Sequence, residues 1–413
     1  MPRPVRFLLV TQGRVPGPAP DGPAVANMAR ALRGDVDIVT LKSPDQAHQG
    51  RLGDARVFRV RAEEGPEPFL RAVVRQLESE DYDVIHTRDA RSVPAIAASA
   101  FKGILVYEVS AAGLPLDWEE HHWAALQSAN HVVVPTLTAA KAARHAAPDA
   151  RVHHLPPGVD LDVYDWQPQR LAEPSLTRLL SLGDFGPGRD VGGIIEAIRR
   201  LRKTLPVHLM MAGETDPARR QEVQNAIENA GVAPFITVRR DPRPESIARL
   251  IADCDVGVLP VTEHAAYARH GLLAEPLLEF WASHRPVVAP DWPALRELMP
   301  DAHGCALFKP GDIDSLAAAI ATCAADPSLG DTVAIARSNV RQGNPTSARE
   351  RALRSLYNSI LPGTQVADAW AEGFPDEGSG TFQSVASSTT DQDVAVAIVG
   401  ETTHVDTELQ PAD

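Results

Sequence analysis

Runs of Val, Ile and Leu alternate with amphipathic stretches along residues 5–360, and this alternation limits the possible folds more than any other feature. Near-continuous apolar runs are typical of parallel strands that are buried on both faces of a sheet. In the first half, strands are predicted at Val5–Val10, Val36–Leu41, Arg56–Val60, Asp83–His86, Ile104–Val109, His131–Val134 and Val152–Leu155. Helical spacing of apolar residues predicts helices around Val25–Leu32 and at Glu67–Glu78 and Glu119–Gln127.

The alternation starts again after a polar, proline-containing segment, Asp162–Ser175, which has the composition of a linker. Strands are then predicted at Arg178–Gly183, Val207–Met211, Phe235–Arg239, Asp255–Pro260, Pro286–Ala289 and Ala306–Lys309. Helices are predicted at Val191–Lys203, Ala218–Ala230, Pro244–Ala252, Glu275–Ser283, Ile313–Ala324 and Ser347–Ile360. The last of these carries Leu353, Leu356 and Ile360 on one face, which could pack back across the linker.

Alternating strands and helices predict parallel sheets with right-handed crossovers, and 413 residues are too many for one ordinary core. We therefore predict an α/β chain with two Rossmann-like, doubly wound domains that face each other across a cleft. The predicted parts are an N-terminal domain at 1–161, a linker at 162–175, a C-terminal domain at 176–346, a crossing helix at 347–361 and a disordered acidic tail at 362–413. Because ligands bind at the carboxyl ends of strands in such sheets, the cleft is the expected site.

The formal net charge of −14 is concentrated at the end of the chain. Residues 363–413 hold ten Asp or Glu and no Lys or Arg, which leaves the rest of the chain at −4. A body so close to neutral gives no reason to expect a nucleic acid partner. The tail combines low hydrophobicity with high charge, so it cannot offset the entropy of ordering.

Apolar runs and cysteines indicate the compartment. No apolar run approaches the roughly eighteen residues of a membrane-spanning helix, and the apolar stretch at Phe7–Val10 is too short for a signal peptide. Cys254, Cys305 and Cys323 have no close pairing, which argues against a disulfide framework and a zinc site. We therefore expect a cytoplasmic protein without an integral membrane segment.

Two segments have the character of phosphate sites. Gly271–Pro290 is predicted to be a loop, a helix with Pro276 in its first turn, and a buried strand, so free amides near Gly271–Ala274 could hold a phosphate. Glu279 lies about one turn further on, within reach of ligand hydroxyls or simply on a solvated helix face. Leu182–Gly192 is glycine-rich and carries Arg189, and it is either a binding loop or a plain connection.

The order of the motifs resembles that of family-4 glycosyltransferases over nearly all of residues 5–360. In the first half the matching segments are Tyr82–His86, Ile104–Val109, Ala129–Val134 and Leu155–Asp160. In the second half they are Leu182–Gly183, Ile194–Ile198, Leu209–Gly213, Leu278–Ala282, Arg285–Ala289, Asp291–Glu297 and Lys309–Asp312. The resemblance implies the GT-B fold, a nucleotide-sugar donor held mainly by the second domain, and retaining transfer to an unidentified acceptor without a metal or other cofactor.

The resemblance also implies a donor site and shows departures from the family pattern. The donor-binding residues would be Arg189, Glu279, Gly271, Leu272 and Leu273, with Glu279 holding the ribose and Arg189 neutralising the diphosphate. The departures are Asp184 in place of Arg, Gly271 in place of Glu, Ser110 in place of His, and Asp21-Gly22 in place of two glycines.

Three first-domain residues are candidates for lining the cleft, namely His86, Ser110 and Gly22. A single histidine at the end of a strand is more often structural, so that alternative stays open for His86. The pairs His121-His122 and His153-His154 lack metal-ligand spacing and are interpreted as surface or strand residues. No catalytic residue is assigned. The departures leave two functions open, an active glycosyltransferase or a catalytically inactive binding or scaffolding protein with the same fold.

Overall fold

The computed structural model describes the chain from residue 4 to residue 361 with several gaps. The described residues are 4–17, 21–32, 34–43, 45–61, 66–110, 120–164, 176–183, 185–186, 188–213, 217–240, 242, 244–262, 274–299, 301–325 and 329–361. The predicted tail at 362–413 and the site candidates Gly271, Leu272 and Leu273 lie outside these residues, as does Asp184.

The first sheet has eight strands in the order β3-β4-β2-β1-β5-β6-β7-β8. They are β1 (Arg6–Arg14), β2 (Asp35–Leu41), β3 (Gln49–Leu52), β4 (Ala55–Val60), β5 (Val84–Thr87), β6 (Ile104–Glu108), β7 (His131–Val134) and β8 (Val152–His154). All seven strands predicted in this half occur, and they pair in parallel. The sequence analysis missed β3, an antiparallel edge strand that is mostly exposed and therefore lacks an apolar run.

Helices cover the faces of the first sheet. They are α1 (Asp21–Ala31), α2 (Pro66–Ser79), α3 (Ser92–Ala97), α4 (Glu120–Ser128) and α5 (Leu137–Ala146). The short α3 was not predicted, and neither was α5, because α5 packs small alanines such as Ala139 and Ala143 that give a weak apolar pattern. Its start is nevertheless marked by Thr136, whose hydroxyl accepts a hydrogen bond from the Ala139 amide at 3.0 Å.

The second sheet has six parallel strands in the order β11-β10-β9-β12-β13-β14. They are β9 (Thr177–Leu182), β10 (Val207–Gly213), β11 (Ile236–Arg240), β12 (Val256–Val258), β13 (Val287–Pro290) and β14 (Cys305–Phe308), and each was predicted. The remaining helices are α6 (Leu161–Tyr164), α7 (Val191–Leu201), α8 (Pro217–Asn229), α9 (Pro244–Asp253), α10 (Ala274–Ala282), α11 (Pro293–Arg296), α12 (Ile313–Ala325), α13 (Leu329–Gly343) and α14 (Thr346–Ile360). Of these, α6, α11 and α13 were not predicted.

Helix α10 is fixed to the second sheet by Phe280. The Phe280 ring is fully buried over β12, where a Cβ on Gly257 would come within 2.7 Å of it. Leu277, Leu278 and Trp281 are buried on the same helix, whereas Glu279 is only partly buried. The apolar side of α10 therefore determines where its acidic residues point.

Helix α14 returns to the first domain, as its apolar face predicted. Leu353, Leu356 and Tyr357 are buried there, and the Tyr357 ring packs edge-on against Phe7 with centroids 5.4 Å apart. Arg349 donates a hydrogen bond to the Pro156 carbonyl at 2.7 Å. In the described part of the chain, no helix is long and apolar enough to cross a bilayer.

Candidate functional site

The carboxyl ends of β1 and β5 form the switch point of the first sheet. From β1 the chain passes to β2 on one side, and β5 lies on the other side. Open α/β sheets bind ligands at such a point. Asp21 follows β1, Arg88 directly follows β5, and Glu108 ends the neighbouring β6, so three charged residues meet there.

These residues form a network that we call the buried charge cluster, consisting of Asp21, Arg88, Glu108, Ser110 and Arg349. Asp21 Oδ1 accepts hydrogen bonds from Arg88 Nε at 2.9 Å and from Ser110 Oγ at 2.5 Å. Arg88 also donates to Glu108, which accepts a second hydrogen bond from Arg349 Nη2 at 2.9 Å. Asp21, Arg88 and Glu108 are 1%, 6% and 4% exposed, so every charge is balanced inside the protein.

Glu108 connects the cluster to the crossing helix. Its Oε2 lies 3.1 Å from Nε2 of His86, whose Nδ1 lies 2.7 Å from the Tyr357 hydroxyl. Burial alone would raise the pKa of Glu108, but Arg88, Arg349 and His86 together hold this pKa well below its ordinary range. Glu108 is therefore ionised.

The three cleft candidates of the first domain are all buried. His86 is 1% exposed and lies behind Glu108, so the expectation that it lines the cleft is wrong. Ser110 is 4% exposed and is a hydrogen-bond donor to Asp21. Gly22 is buried in the first turn of α1, where a Cβ would lie 2.6 Å from the Arg14 carbonyl oxygen. Close packing, and not ligand access, explains the glycine.

The switch point of the second sheet lies between β9 and β12, and Arg189 is beside it. The Arg189 backbone bridges to Val261 just beyond β12, and Asp190 caps α7 through the Gly193 amide at 2.8 Å. The Arg189 guanidinium packs on Gly183, because a Cβ there would lie 2.3 Å from Nη2. Gly183 has a φ of 129°, a conformation that favours glycine. The glycine-rich turn therefore brings a cation to the carboxyl end of β9.

Glu275 and Glu279 are one turn apart on α10, and both are partly buried. Glu279 Oε1 accepts a hydrogen bond from the Tyr164 hydroxyl at 2.9 Å. Burial and the nearby Glu275 raise the pKa of Glu279 to about 8, although the Tyr164 hydrogen bond opposes this change.

Glu275 is close enough to the buried charge cluster for its charges to act on it. Burial raises its pKa, while the positive charges of Arg88 and Arg349 oppose that rise. The first turn of α10 is therefore within electrostatic reach of the first domain.

The domains are also joined by Glu297, which follows α11. Its carboxylate accepts hydrogen bonds from the Leu137 and Thr138 amides, both at 2.8 Å, and from the Thr138 hydroxyl. A carboxylate at the first turn of α5 is favoured by the helix dipole. This contact joins the segment that follows β7 to the segment that follows β13, each at the carboxyl end of its strand.

No group of three His, Cys, Asp or Glu side chains in the described ranges could hold a metal ion. His153 and His154 lie in β8 or at its end, and His131 Nδ1 lies 2.9 Å from His153 Nε2. His122 is 2% exposed, so the surface interpretation is wrong for this residue. Burial lowers its pKa to about 3 and keeps it neutral at physiological pH.

Sequence reasoning missed Arg88, Glu108, Arg349 and Tyr164. One signal was present, because Glu108 interrupts the apolar strand Ile104–Val109 and a charge in a buried strand needs a partner. The partners lie 20 and 241 positions away from Glu108, so nothing in the local sequence identifies them.

Replacing Glu279 with Gln should make the protein more stable at high pH. The pKa of Glu279 is about 8 in the folded protein against an ordinary value of 4.5, so the folded state keeps a proton that the unfolded state loses. Stability therefore falls as pH rises from 4.5 to 8, and Gln removes this loss. We expect a gain of about 2 kcal/mol at pH 9 and almost none at pH 4, measured by urea unfolding. An equal gain at both pH values would contradict the assignment.

Comparisons with known proteins agree with this geometry. Residues 24–163 match the family model described as Glycosyltransferase Family 4, and residues 177–326 match the model described as Glycosyl transferases group 1. No curated protein sequence matches the chain at a significant level.

Solved structures share the fold at low sequence identity. Sucrose-phosphate synthase of Thermosynechococcus elongatus is 17% identical with a TM-score of 0.72, over 87% of this chain and 100% of that one. HepE of Anabaena, solved in complex with UDP-glucose, is 17% identical with a TM-score of 0.68, over 86% and 100%. WaaG, a glycosyltransferase involved in lipopolysaccharide biosynthesis, is 16% identical with a TM-score of 0.64, over 86% and 100%. With a matching family model on each sheet and two mostly parallel α/β sheets arranged as in GT-B enzymes, the chain belongs to the family-4 glycosyltransferases.

Proposed function

We propose that this glycosyltransferase takes a sugar from a nucleotide-sugar donor and transfers it to an acceptor with retention of configuration. The observation that carries the donor assignment is the position of Arg189, whose guanidinium packs on Gly183 at the switch point of the second sheet. A guanidinium there matches the charge and fork geometry of a diphosphate. The structure of HepE with UDP-glucose supports a donor of this class.

Each part of the proposed donor has a counterpart in the second domain. Arg189 neutralises the charge that develops on the leaving diphosphate, and free amides in the first turn of α10 assist it. Glu279 accepts hydrogen bonds from the ribose hydroxyls. Gly271, Leu272 and Leu273 are proposed to border the phosphates, on the family likeness alone.

The acceptor is proposed to enter from the first domain, a sugar, lipid-linked glycan or small molecule with a free hydroxyl. The buried charge cluster forms a rigid floor on that side, because Asp21 and Glu108 each accept hydrogen bonds from arginine. Neither carboxylate is therefore free to act as a nucleophile towards the sugar. Retention is proposed on the family likeness alone.

A second candidate function is a catalytically inactive protein that binds the donor without transferring the sugar. It is favoured by the hydrogen bond from Ser110 to Asp21, because the side chains at two positions that depart from the family pattern are bound to each other. Slow hydrolysis of the bound donor separates the two candidates. The enzyme releases free sugar and nucleotide, whereas the inactive protein binds the donor and leaves it intact.

Replacing Arg189 with Ala should weaken donor binding by about 10- to 100-fold, because a charge-assisted hydrogen bond to phosphate is lost. Calorimetric titration with UDP-, GDP- and ADP-sugars measures the effect and identifies the base. Arg178→Ala is the control, since Arg178 lies at the opposite end of β9 and pairs with Asp255 at the surface. If wild-type protein binds none of these donors, or if both variants bind as wild type does, the donor site is misplaced.

A further inference from the structure

Tyr164 connects the segment between the two sheets to the proposed donor site. It ends the short helix α6, after the last strand of the first sheet and before the first strand of the second. Its hydroxyl donates to Glu279 Oε1 at 2.9 Å, and its backbone carbonyl accepts a hydrogen bond from Ser283 Oγ, also at 2.9 Å. Glu279 of α10 and Ser283, the residue directly after α10, therefore hold Tyr164 at its hydroxyl and at its backbone carbonyl.

The hydroxyl contact restricts one oxygen of Glu279. With Oε1 held by Tyr164, the rotation of the carboxyl group is fixed and Oε2 is directed elsewhere. A carboxylate accepts hydrogen bonds at both oxygens, so Oε2 keeps its capacity for a ligand hydroxyl. A fixed acceptor binds a hydroxyl better than a rotating one, because less freedom is lost on binding.

The same contact favours the ionised form of Glu279. Burial and the negative charge of Glu275 raise the pKa of Glu279, and the hydrogen bond from Tyr164 lowers it. The positive charges of Arg88 and Arg349 act in turn on Glu275, and Asp160, the residue before α6, acts on Tyr164. Without the Tyr164 hydroxyl, Glu279 would keep its proton to a higher pH.

We propose that Tyr164 is a positioning residue for the donor, holding the Glu279 carboxylate so that Oε2 accepts a ribose hydroxyl. The proposal rests on the donor site described above. Tyr164 acts through Glu279 and touches no reacting atom.

Replacing Tyr164 with Phe removes the hydroxyl and keeps the ring. We expect the donor Kd to rise about five- to tenfold, because Glu279 is released and more often protonated. In wild type, donor affinity should fall at low pH, where Glu279 is protonated. In Tyr164→Phe this fall should occur at higher pH, since the pKa of Glu279 is no longer lowered by the hydroxyl. In turnover assays the KM for the donor should rise while kcat changes little. Titrations from pH 6 to 9 with the nucleotide-sugar that wild type binds measure all three effects.

Ser283→Ala is the matched control, because it removes the second hydrogen bond to Tyr164, from the residue directly after α10, and leaves the Glu279 side chain unchanged. It should leave the affinity and its pH dependence at wild-type values. If Ser283→Ala reproduces the Tyr164→Phe effects, docking of the linker and not the carboxylate is responsible, and the proposal is overturned. Unchanged donor binding in Tyr164→Phe also overturns the proposal. Tighter donor binding overturns it as well, because it would show that Tyr164 competes with the donor.

Failure of the donor assignment gives a different pattern. If wild-type protein binds no nucleotide-sugar, the donor role of both Glu279 and Tyr164 is overturned together. The contact between Tyr164 and Glu279 is then still measurable by urea unfolding. The loss of stability that accompanies ionisation of Glu279 should continue to a higher pH in Tyr164→Phe than in wild type. If wild type binds a donor and only Tyr164→Phe has no effect, the donor site stands and this inference alone fails.

Discussion

Arg88→Met should destabilise the protein by about 3–5 kcal/mol, because the change leaves two buried carboxylates without their shared cation. Asp21 and Glu108 are 1% and 4% exposed, so water cannot replace the lost guanidinium. Arg88 donates to both of them, and the hydroxyls of Ser110 and Thr11, which also donate to Asp21, carry no charge that could balance the carboxylate. Urea unfolding at pH 7 measures the loss as a lower midpoint with an unchanged slope.

Arg178→Met is the control for this experiment. Arg178 and Asp255 form an ion pair with 42% and 31% of their side chains exposed, so its loss should change stability by less than about 1 kcal/mol. Adding Asp21→Asn to Arg88→Met removes one stranded charge and should restore part of the stability. An Arg88→Met variant as stable as the Arg178→Met control would show that the buried charge cluster does not hold the first domain.

Glu108→Gln should cost about 3 kcal/mol at pH 7, because Arg349 then loses its carboxylate partner and Arg88 keeps only Asp21. The pKa of Glu108 is held well below its ordinary value of 4.5, so its stabilising effect is present above pH 4.5 and is lost as pH falls below it. The difference between wild type and Glu108→Gln should therefore be the same at pH 7 and pH 5 and should shrink when unfolding is measured at pH 4 and pH 3.

Glu80→Gln is a suitable comparison in the same domain. Glu80 pairs with Arg6 and Arg56, but its side chain is 32% exposed, so the expected cost is below about 1 kcal/mol. A Glu108→Gln cost that stays constant with pH would show that shape and not charge makes Glu108 important. A cost equal to that of Glu80→Gln would show that the cluster is solvated.

Much of the fold could be predicted because buried parallel strands leave a strong apolar pattern. All thirteen predicted strands occur, from Arg6–Arg14 to Cys305–Phe308. The missed elements lack that pattern. The edge strand Gln49–Leu52 is mostly exposed, and helix Leu137–Ala146 packs alanines. The missed helix Leu161–Tyr164 has only four residues and no buried side chain.

The candidate site could be predicted where it depends on short segments. Arg189 follows its glycine-rich turn, and Glu279 lies on a helix with a strongly apolar face, so local spacing made both of them candidates. Their donor roles came only from the family resemblance. The sequence left His86 open between a cleft residue and a structural one, because the end of a strand is open or covered depending on what packs on it. Here Tyr357, 271 positions later, covers it.

The sequence alone determined the two alternating runs, the cation beside Gly183 and the acidic residues of helix Ala274–Ala282, because periodicity and turn chemistry act over a few residues. Only the tertiary structure decided which charges meet. Asp21, Arg88, Glu108 and Arg349 come from four separate segments, and burial then makes each one dependent on the others. The same holds for Tyr164 and Glu279, which are 115 positions apart and are brought together by the packing of a linker helix against the second domain.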